Sequence, residues 1–203
     1  MNDLDIEFVR SKFPAFAAPE FYGKSFFDNA GGSFAAGSVI KRLNRFYVTR
    51  KVQPYAPYEA SSLGGAEMDE ARVELSALLN VEQNTLHFGP STSQNTYVLS
   101  HAFQGLNSKR KVIVVTNQDH EANSGAWRKL EKVGFCVREW KVSTISGSLD
   151  INDLSKLLDD KVLLVAFPHC SNIVGEVNPV KKICKLIKSF GAYSCVDGVS
   201  YAP

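Results

Sequence analysis

The stretch Val162-Leu163-Leu164-Val165-Ala166-Phe167 is the most apolar run in the sequence and reads as a strand. Continuous hydrophobicity, without polar alternation, is typical of a parallel strand that is buried on both faces. Further strands are predicted at 112–116, 136–142 and 192–197, and helical patterns lie between them. This alternation predicts an α/β fold of three layers, with helices on both faces of a mostly parallel sheet.

The N-terminal part has a different pattern, which predicts helices and loops. We expect helices over residues 3–13, with Asn2 or Asp3 as N-cap, over 35–51 and over 65–79. Val39, Leu43, Phe46 and Tyr47 would lie on one face of the second helix. Residues 85–88 read as a further short strand. We therefore divide the chain into an N-terminal helical and loop segment, 1–64, and a sheet domain, 65–203.

Composition excludes several classes of protein. A formal charge of +2 over 203 residues is too small to indicate binding to nucleic acid or to an anionic membrane. The sequence has no apolar run of about 18 residues and no secretory signal at its start, so we expect no membrane span. The four cysteines show neither a metal-binding spacing nor a disulfide framework. Reduced thiols of this kind indicate a cytoplasmic protein.

Small polar clusters follow the predicted strands, where parallel sheets bind their ligands. They are Ser91–Asn95, Asp119–Asn123, His169–Asn172 and the strand-terminal Asp197. The hydroxyls at 91–93 could cradle a phosphate at a helix N-terminus or serve as plain caps. His120 could be an acid or base, a metal ligand, a stacking surface or an exposed loop residue. Asp197 could meet a cation or only form a turn.

Five motifs in register carry a resemblance to a known family. The chain resembles the class V aminotransferases, especially their cysteine desulfurase-like branch, from about Phe8 to Pro203. These enzymes use pyridoxal 5′-phosphate (PLP) and have fold type I. The motifs are Phe27-Asp28-Asn29-Ala30-Gly31-Gly32, Phe88 to Ser93, Asp119-His120-Glu121-Ala122-Asn123 with Trp127, His169-Cys170-Ser171-Asn172-Ile173-Val174-Gly175 and Val196 to Pro203.

The resemblance implies a role for each matching residue in a pocket for PLP. Asp197 would pair with the pyridinium nitrogen, His120 would stack on the ring and Asn172 would bind the ring hydroxyl. Ser93, with Thr92, would bind the phosphate. Further residues match positions near the ligand: Asn29 and Ala30 beside the substrate, and Ser200 where the family has Gln or His. Because Ser is shorter, the contact at Ser200 is the weakest of these matches.

The chain also departs from the family at its end. The family's Schiff-base lysine lies after the aspartate strand, whereas every lysine here precedes Asp197, the last being Lys188. The family's catalytic cysteine and its arginine for the substrate carboxylate also lie downstream. We therefore expect an incomplete large domain, a fragment of a longer protein, with no catalytic residue of its own and no metal.

These observations lead to one main hypothesis and two alternatives. The first is the N-terminal portion of a PLP-dependent lyase or transferase that acts on an amino acid, similar to cysteine desulfurase or selenocysteine lyase. Such a chain would be inactive alone, and its full-length form would be a homodimer. The second is a non-catalytic module that binds PLP or a phosphate compound, or half of a split enzyme. A nucleotide-binding domain is disfavoured because the glycine-rich phosphate-binding fingerprints are absent.

Overall fold

The computed structural model describes residues 4–202, and the chain forms two compact units that divide between His87 and Phe88. The second unit contains the predicted sheet. Its strands are β1 (Val112–Thr116), β2 (Cys136–Trp140), β3 (Val162–Pro168) and β4 (Tyr193–Asp197). They are ordered β2-β1-β3-β4, and all three neighbouring pairs are parallel.

β3 is the central strand that its sequence predicts. It pairs with β1 on one side and β4 on the other, and every residue from Val162 to Pro168 is buried. The chain first adds β2 on one side of β1 and then returns to add β3 on the other. The carboxyl ends of β1 and β3 therefore form a topological switch point, where sheets of this kind bind ligands.

Helices cover both faces of the sheet, which confirms the three-layer α/β prediction. The helices of the unit are α4 (Thr92–Gln104), α5 (Glu121–Arg128), α6 (Ile151–Leu157) and α7 (Val180–Ser189). On one face Leu154 of α6 and Ile183 of α7 pack with Phe167 of β3. On the other face Trp127 of α5 packs with Ile113 of β1 and with Phe103 of α4. Each face thus has its own apolar core.

The first unit consists of helices joined by loops and turns. Its helices are α1 (Ile6–Ser11), α2 (Gly37–Thr49) and α3 (Glu59–Leu79). Asp5 caps α1 by accepting a hydrogen bond from the N–H of Phe8, while the caps proposed from sequence, Asn2 and Asp3, lie outside the described residues. α3 begins six residues earlier than 65 and runs without a break through residues 64 and 65.

One prediction in this region is wrong. The stretch 85–88 is not a strand: Thr85 ends a 3₁₀ turn, and no strand among the described residues pairs with it. A strand needs a neighbour to satisfy its backbone N–H and C=O groups. The apolar face of α2 is present as the pattern indicates, and its residues Val39, Leu43 and Tyr47 are all at least half exposed.

The helix α7 begins without a hydrogen bond from a capping side chain. Asn178 does not cap α7 with its side chain; the cap position is Pro179, and the Asn178 amide points into the protein, where it is buried. Within residues 4–202, the structure contains no helix that is both long and apolar enough to cross a bilayer.

Candidate functional site

A cleft of about 300 Å³ lies at the switch point of the sheet. Its walls come from the segments that follow β1, β2 and β3, so residues distant in sequence meet there. Two residues singled out from the sequence, His120 and Asn172, line this cleft together. The other lining residues are Asn117, Gln118, Asp119, Glu121, Val142, Gly147, Ser171, Ile173 and Val174.

Gln118 joins the walls of the cleft. Its buried amide donates to the carbonyl oxygen of Gly147 at 2.7 Å and accepts from Nδ2 of Asn178, also at 2.7 Å. Asn178 Nδ2 donates in addition to the carbonyl oxygen of Pro168 at 2.8 Å. These bonds tie the end of β1 to the loops after β2 and β3. Buried amides that are satisfied in this way fix one arrangement of the chain.

Ser171 sets the position of Asn172. The buried Ser171 hydroxyl donates to the carbonyl oxygen of Gln118 at 3.4 Å and accepts from the N–H groups of Ile173 and Val174. The turn closes with a hydrogen bond from the Gly175 N–H to the Ser171 carbonyl oxygen at 2.9 Å. Asn172 therefore stands on an anchored turn and presents a half-buried amide to the cleft.

His120 is the N-cap of α5. Its Nδ1 accepts a hydrogen bond from the N–H of Ala122 at 3.0 Å. Because an N–H donor faces Nδ1, this nitrogen accepts through its lone pair, which corresponds to the tautomer with its proton on Nε2. The ring is exposed at the cleft, so it can offer a flat face to a ligand.

Asp119 and Asp197 bring two carboxyl groups to the same edge of the sheet. Burial, with the nearby charge of Asp197, raises the pKa of Asp119 to about 7, although a hydrogen bond from Asn123 opposes the rise. Asp197 ends β4, where its Oδ1 accepts from the N–H of Val199 at 2.8 Å. A cation placed between these groups would be attracted by both.

Ser200 lies in a turn that follows β4. The N–H groups of Tyr201 and Ala202 donate to the carbonyl oxygen of Gly198 and close the turn. The Tyr201 ring stacks on His169, with centroids 3.6 Å apart, which ties the turn to the end of β3. Ser200 itself is exposed.

Thr92 and Ser93 form the first turn of α4. Ser91 caps this helix by accepting from the N–H of Gln94 at 3.2 Å. Gly89 lies just before it, and a Cβ there would displace the side-chain amide of Asn95. Thr92 is half-buried and Ser93 exposed, and the N–H groups of a first helical turn can bind a phosphate.

The remaining candidates lie outside the cleft. Thr92, Ser93, Asp197 and Ser200 belong to the same unit but are not among its lining residues. Asn29 and Ala30 belong to the first unit, where Asn29 Oδ1 accepts from the hydroxyl of Ser33 at 3.3 Å. Asn29 also lines a separate hollow with Phe13, Phe16 and Phe34.

Two residues of the site, Gln118 and Asn178, were not found from the sequence, and Asp119 was named only as a member of a polar cluster and a motif. The signal for Asp119 was its place directly before His120 at a strand end, but the motif alone gives it no role. Gln118 and Asn178 are paired across 60 positions, a separation that no local pattern reports. Among residues 4–202 no three His, Cys, Asp or Glu side chains are grouped as metal ligands would be.

Comparison with known proteins agrees with this architecture. Residues 25–203 match the family described as aminotransferase class-V. The aminotransferase-like protein FGM3 of Gibberella zeae is 33% identical over 100% of this chain and 50% of its own length. A probable cysteine desulfurase of Xylella fastidiosa is 30% identical over 98% of this chain and 49% of its own.

Solved structures show the same fold. The cysteine desulfurase CsdA of Escherichia coli superposes with a TM-score of 0.80 at 19% identity, over 98% of this chain and 50% of that one. The chain thus spans about half the length of the curated relatives it matches. Because the family match covers most of its residues, the chain belongs to the aminotransferase class-V family.

Proposed function

We propose that this chain is the N-terminal portion of a PLP-dependent enzyme that acts on an amino acid, of the cysteine desulfurase or selenocysteine lyase kind. One observation carries the proposal: the carboxyl groups of Asp119 and Asp197 lie at the sheet edge where His120 and Asn172 line one cleft. A pyridinium cation fits this donor set, because Asp119 Oδ1 is buried there without a hydrogen-bond partner among the described residues.

Each proposed contact uses a group described above. Asp197 would hold the protonated ring nitrogen, and the His120 ring would give the cofactor a flat surface. The Asn172 amide would donate to the ring hydroxyl, while Thr92 and Ser93 would bind the phosphate through N–H and hydroxyl groups. When bound, PLP supplies an electron sink for negative charge that develops at the substrate Cα. Ser200 would contact the cofactor from the turn after β4, while Asn29 and Ala30 match positions beside the substrate.

The proposal extends to inactivity of this polypeptide by itself. Proton transfer at Cα needs a base, and no lysine is among the residues that line the cleft. In the resemblance that lysine belongs to a later segment. The same observation favours a second candidate function, a module that holds PLP or a phosphate compound reversibly, or half of a split enzyme.

Location and assembly are part of the same proposal. All four cysteines are unpaired, which supports a reducing compartment such as the cytoplasm. We also propose a homodimer for the full-length protein, and the exposed apolar side chains of α2 are consistent with a covered face. Sedimentation of the full-length protein would test the second point, with a monomer at micromolar concentration as the contrary result.

Equilibrium binding to the 203-residue chain tests the site. PLP would be titrated while its absorbance and the protein's tryptophan fluorescence are followed, since Trp127 and Trp140 both lie in the sheet unit. Asp197→Asn should weaken binding at least about tenfold, because it removes the charge opposite the ring nitrogen. Asp160→Asn, at an exposed residue, is the control for the change in net charge.

Covalent trapping and turnover test the proposed inactivity of the chain by itself. After borohydride treatment, mass spectrometry should find no PLP attached specifically at the site, and any colour should be lost on dialysis. Turnover of cysteine by the 203-residue chain would contradict the proposed inactivity. Equal PLP affinity in the wild-type chain and Asp197→Asn would overturn the assignment of this site.

A further inference from the structure

Asp119 is a buried carboxyl group with half of its hydrogen-bonding capacity unused. Its Oδ2 accepts from Asn123 Nδ2 at 2.6 Å, whereas Oδ1 is buried with no partner in the part of the chain that the structure describes. An unsatisfied buried carboxyl group is costly, and such groups are rare in native proteins. A residue that retains this cost at the mouth of a cleft invites a functional explanation.

Asn123 holds the Asp119 carboxyl in one orientation. Its Oδ1 accepts from Trp127 Nε1 at 3.4 Å and from the Cys195 thiol at 3.6 Å, so its Nδ2 is directed at Asp119. Asn123 is buried, and Trp127 is wholly buried in the core beneath it. The orientation of Asp119 is therefore set by the core of the sheet unit.

The same contacts place Asp197 on the Asp119 side of the sheet. Cys195 reaches Asn123 from β4, and Asp197 follows two residues later on the same strand. Alternate residues of a strand point to the same face, so Asp197 shares the face on which α5 and Asp119 lie. From this face the negative charge of Asp197 contributes to the raised pKa of Asp119.

We propose that Asp119 is a positioning residue of this site, whose carboxyl controls how tightly Asp197 holds the cationic ring nitrogen of a pyridine-type ligand. The proposal rests on the proposed function and deepens it. When Asp119 is ionised, two carboxylates face the cation; when it is protonated, Asp197 faces it alone. Binding of the cation should therefore favour loss of the Asp119 proton.

The charged groups around Asp119 allow this behaviour. From α5, Arg128 attracts its charge, but the guanidinium donates to Glu139 at 2.6 Å and to the Thr116 carbonyl oxygen. The backbone of His120 and the amide of Asn123 also favour the ionised form. From β4, Cys195 is a neutral thiol, because burial raises its pKa to about 12. Asp197 is thus the group on β4 whose negative charge opposes ionisation of Asp119.

A ligand-free titration tests the coupling first. The ¹³C carboxyl resonance of Asp119 would be followed with pH in the wild-type chain and in Asp197→Asn. We expect a midpoint near neutral pH in the wild type, and a clearly lower one in the variant, because a neighbouring negative charge has been removed. Asp160→Asn removes a charge elsewhere and should leave the midpoint unchanged. Equal midpoints in Asp197→Asn and wild type would overturn the proposal.

Ligand binding tests the consequence. The probe is 4′-deoxypyridoxine 5′-phosphate, which has the ring nitrogen and phosphate but no aldehyde to react with lysines. The ratio of Kd values, Asp119→Asn over wild type, should be below about twofold at pH 5.5 and about fivefold at pH 8. The ratio cancels the ligand's own titration. A ratio that is the same at both pH values would overturn the proposed role of Asp119 but not the proposed function. Absence of binding to the wild-type chain at every pH overturns the proposed function as well.

Discussion

The two units of the chain differ in the kinds of residue that they bury. The sheet unit has an apolar core on each face, with wholly buried side chains such as Trp127, Trp140 and Phe167. In the described part of the first unit, residues 4–87, the buried residues are Ser61, Gly64, Gly65 and Ser76, and none is a large hydrophobe. Both units contain helices. The difference in burial therefore depends on whether the unit also supplies an apolar surface, such as the sheet, against which its helices pack.

Beside a cluster of phenylalanine rings around Phe34, ion pairs join the helices of the first unit. Three arginines, two on α2 and Arg50 just after it, reach α3: Arg42 contacts Glu70, while Arg45 and Arg50 contact Glu67. Small residues allow a close approach as well, since a Cβ at Gly65 would collide with the Tyr55 ring. Such contacts give specificity at small net stability, whereas burial of apolar surface is worth about 25 cal/mol per Å². The comparison predicts that the two units differ sharply in their response to mutation.

The largest expected effect is that of Leu154→Ala in the sheet unit. Leu154 is 0% exposed and packs in the core between α6 and the sheet. Its truncation should lower the free energy of unfolding by about 3–4 kcal/mol, the transfer and cavity costs combined. Urea denaturation followed by tryptophan fluorescence reports this unit alone, because both tryptophans lie in it. A loss below about 1 kcal/mol would contradict the tightly packed core.

Asp119→Asn should change stability with a distinctive pH dependence. The pKa of Asp119 is raised to about 7 in the folded chain, against about 3.9 for an unfolded aspartate. The folded state therefore binds more protons between these values, and its stability falls as pH rises from about 4 to about 7. By pH 8 the penalty is complete; this rise in pKa corresponds to an upper bound of about 4 kcal/mol, which solvent around the half-buried residue reduces. Asparagine cannot ionise, so the variant should lack this part of the pH slope.

Denaturation at pH 5 and pH 8 measures the effect. The contributions of all other titrating groups cancel when the free energy of unfolding of the variant is subtracted from that of the wild type at each pH. Asp160→Asn should retain the wild-type slope. Parallel stability curves for wild type and Asp119→Asn would mean that Asp119 is already ionised at pH 5, in conflict with its buried position.

Sequence patterns predicted the sheet unit well because its fold depends on burial within one chain. Residues 162–167 are apolar throughout, and the structure makes them the central strand with both faces covered. The stretch 85–88 has a similar look, but a strand also requires a partner, which local sequence does not report. In the same way the apolar stripe of α2 indicates a face suited to burial without saying what covers it.

The candidate site was predictable residue by residue only in part. His120, Asn172 and Asp197 stand at strand ends, where parallel sheets bind ligands, so their positions could be predicted from topology. Their supporting contacts could not. Gln118 bonds to Gly147 and Asn178, which are 29 and 60 positions away. The geometry of the site depends on such long-range pairs, and those arise from the packing of loops.

Glu67→Gln probes the polar connections of the first unit. Glu67 is only 16% exposed and is contacted by Arg45 and Arg50, so loss of its charge should cost about 1 kcal/mol. The change should appear in the helical circular dichroism signal and not in the tryptophan transition. The effect should shrink in about 0.5 M NaCl, which screens partly exposed charges. Lys156→Gln, which breaks an exposed pair with Asp153 in the sheet unit, is the control and should have a much smaller effect on stability.

The smallest effect is expected for Leu43→Ala, the counterpart of Leu154→Ala on α2. Leu43 is 53% exposed, so its truncation opens no cavity and should change the free energy of unfolding by less than about 0.5 kcal/mol. Alanine is also a good helix former, which offsets part of the lost contact. Thermal melting of the helical signal, at protein concentrations about fiftyfold apart, provides the measurement. If the wild-type melting temperature rises with concentration and the variant's does not, a second chain covers this face in solution. The apolar faces of both units would then be buried. In the sheet unit the same chain buries them, whereas the α2 face would be buried by a second chain.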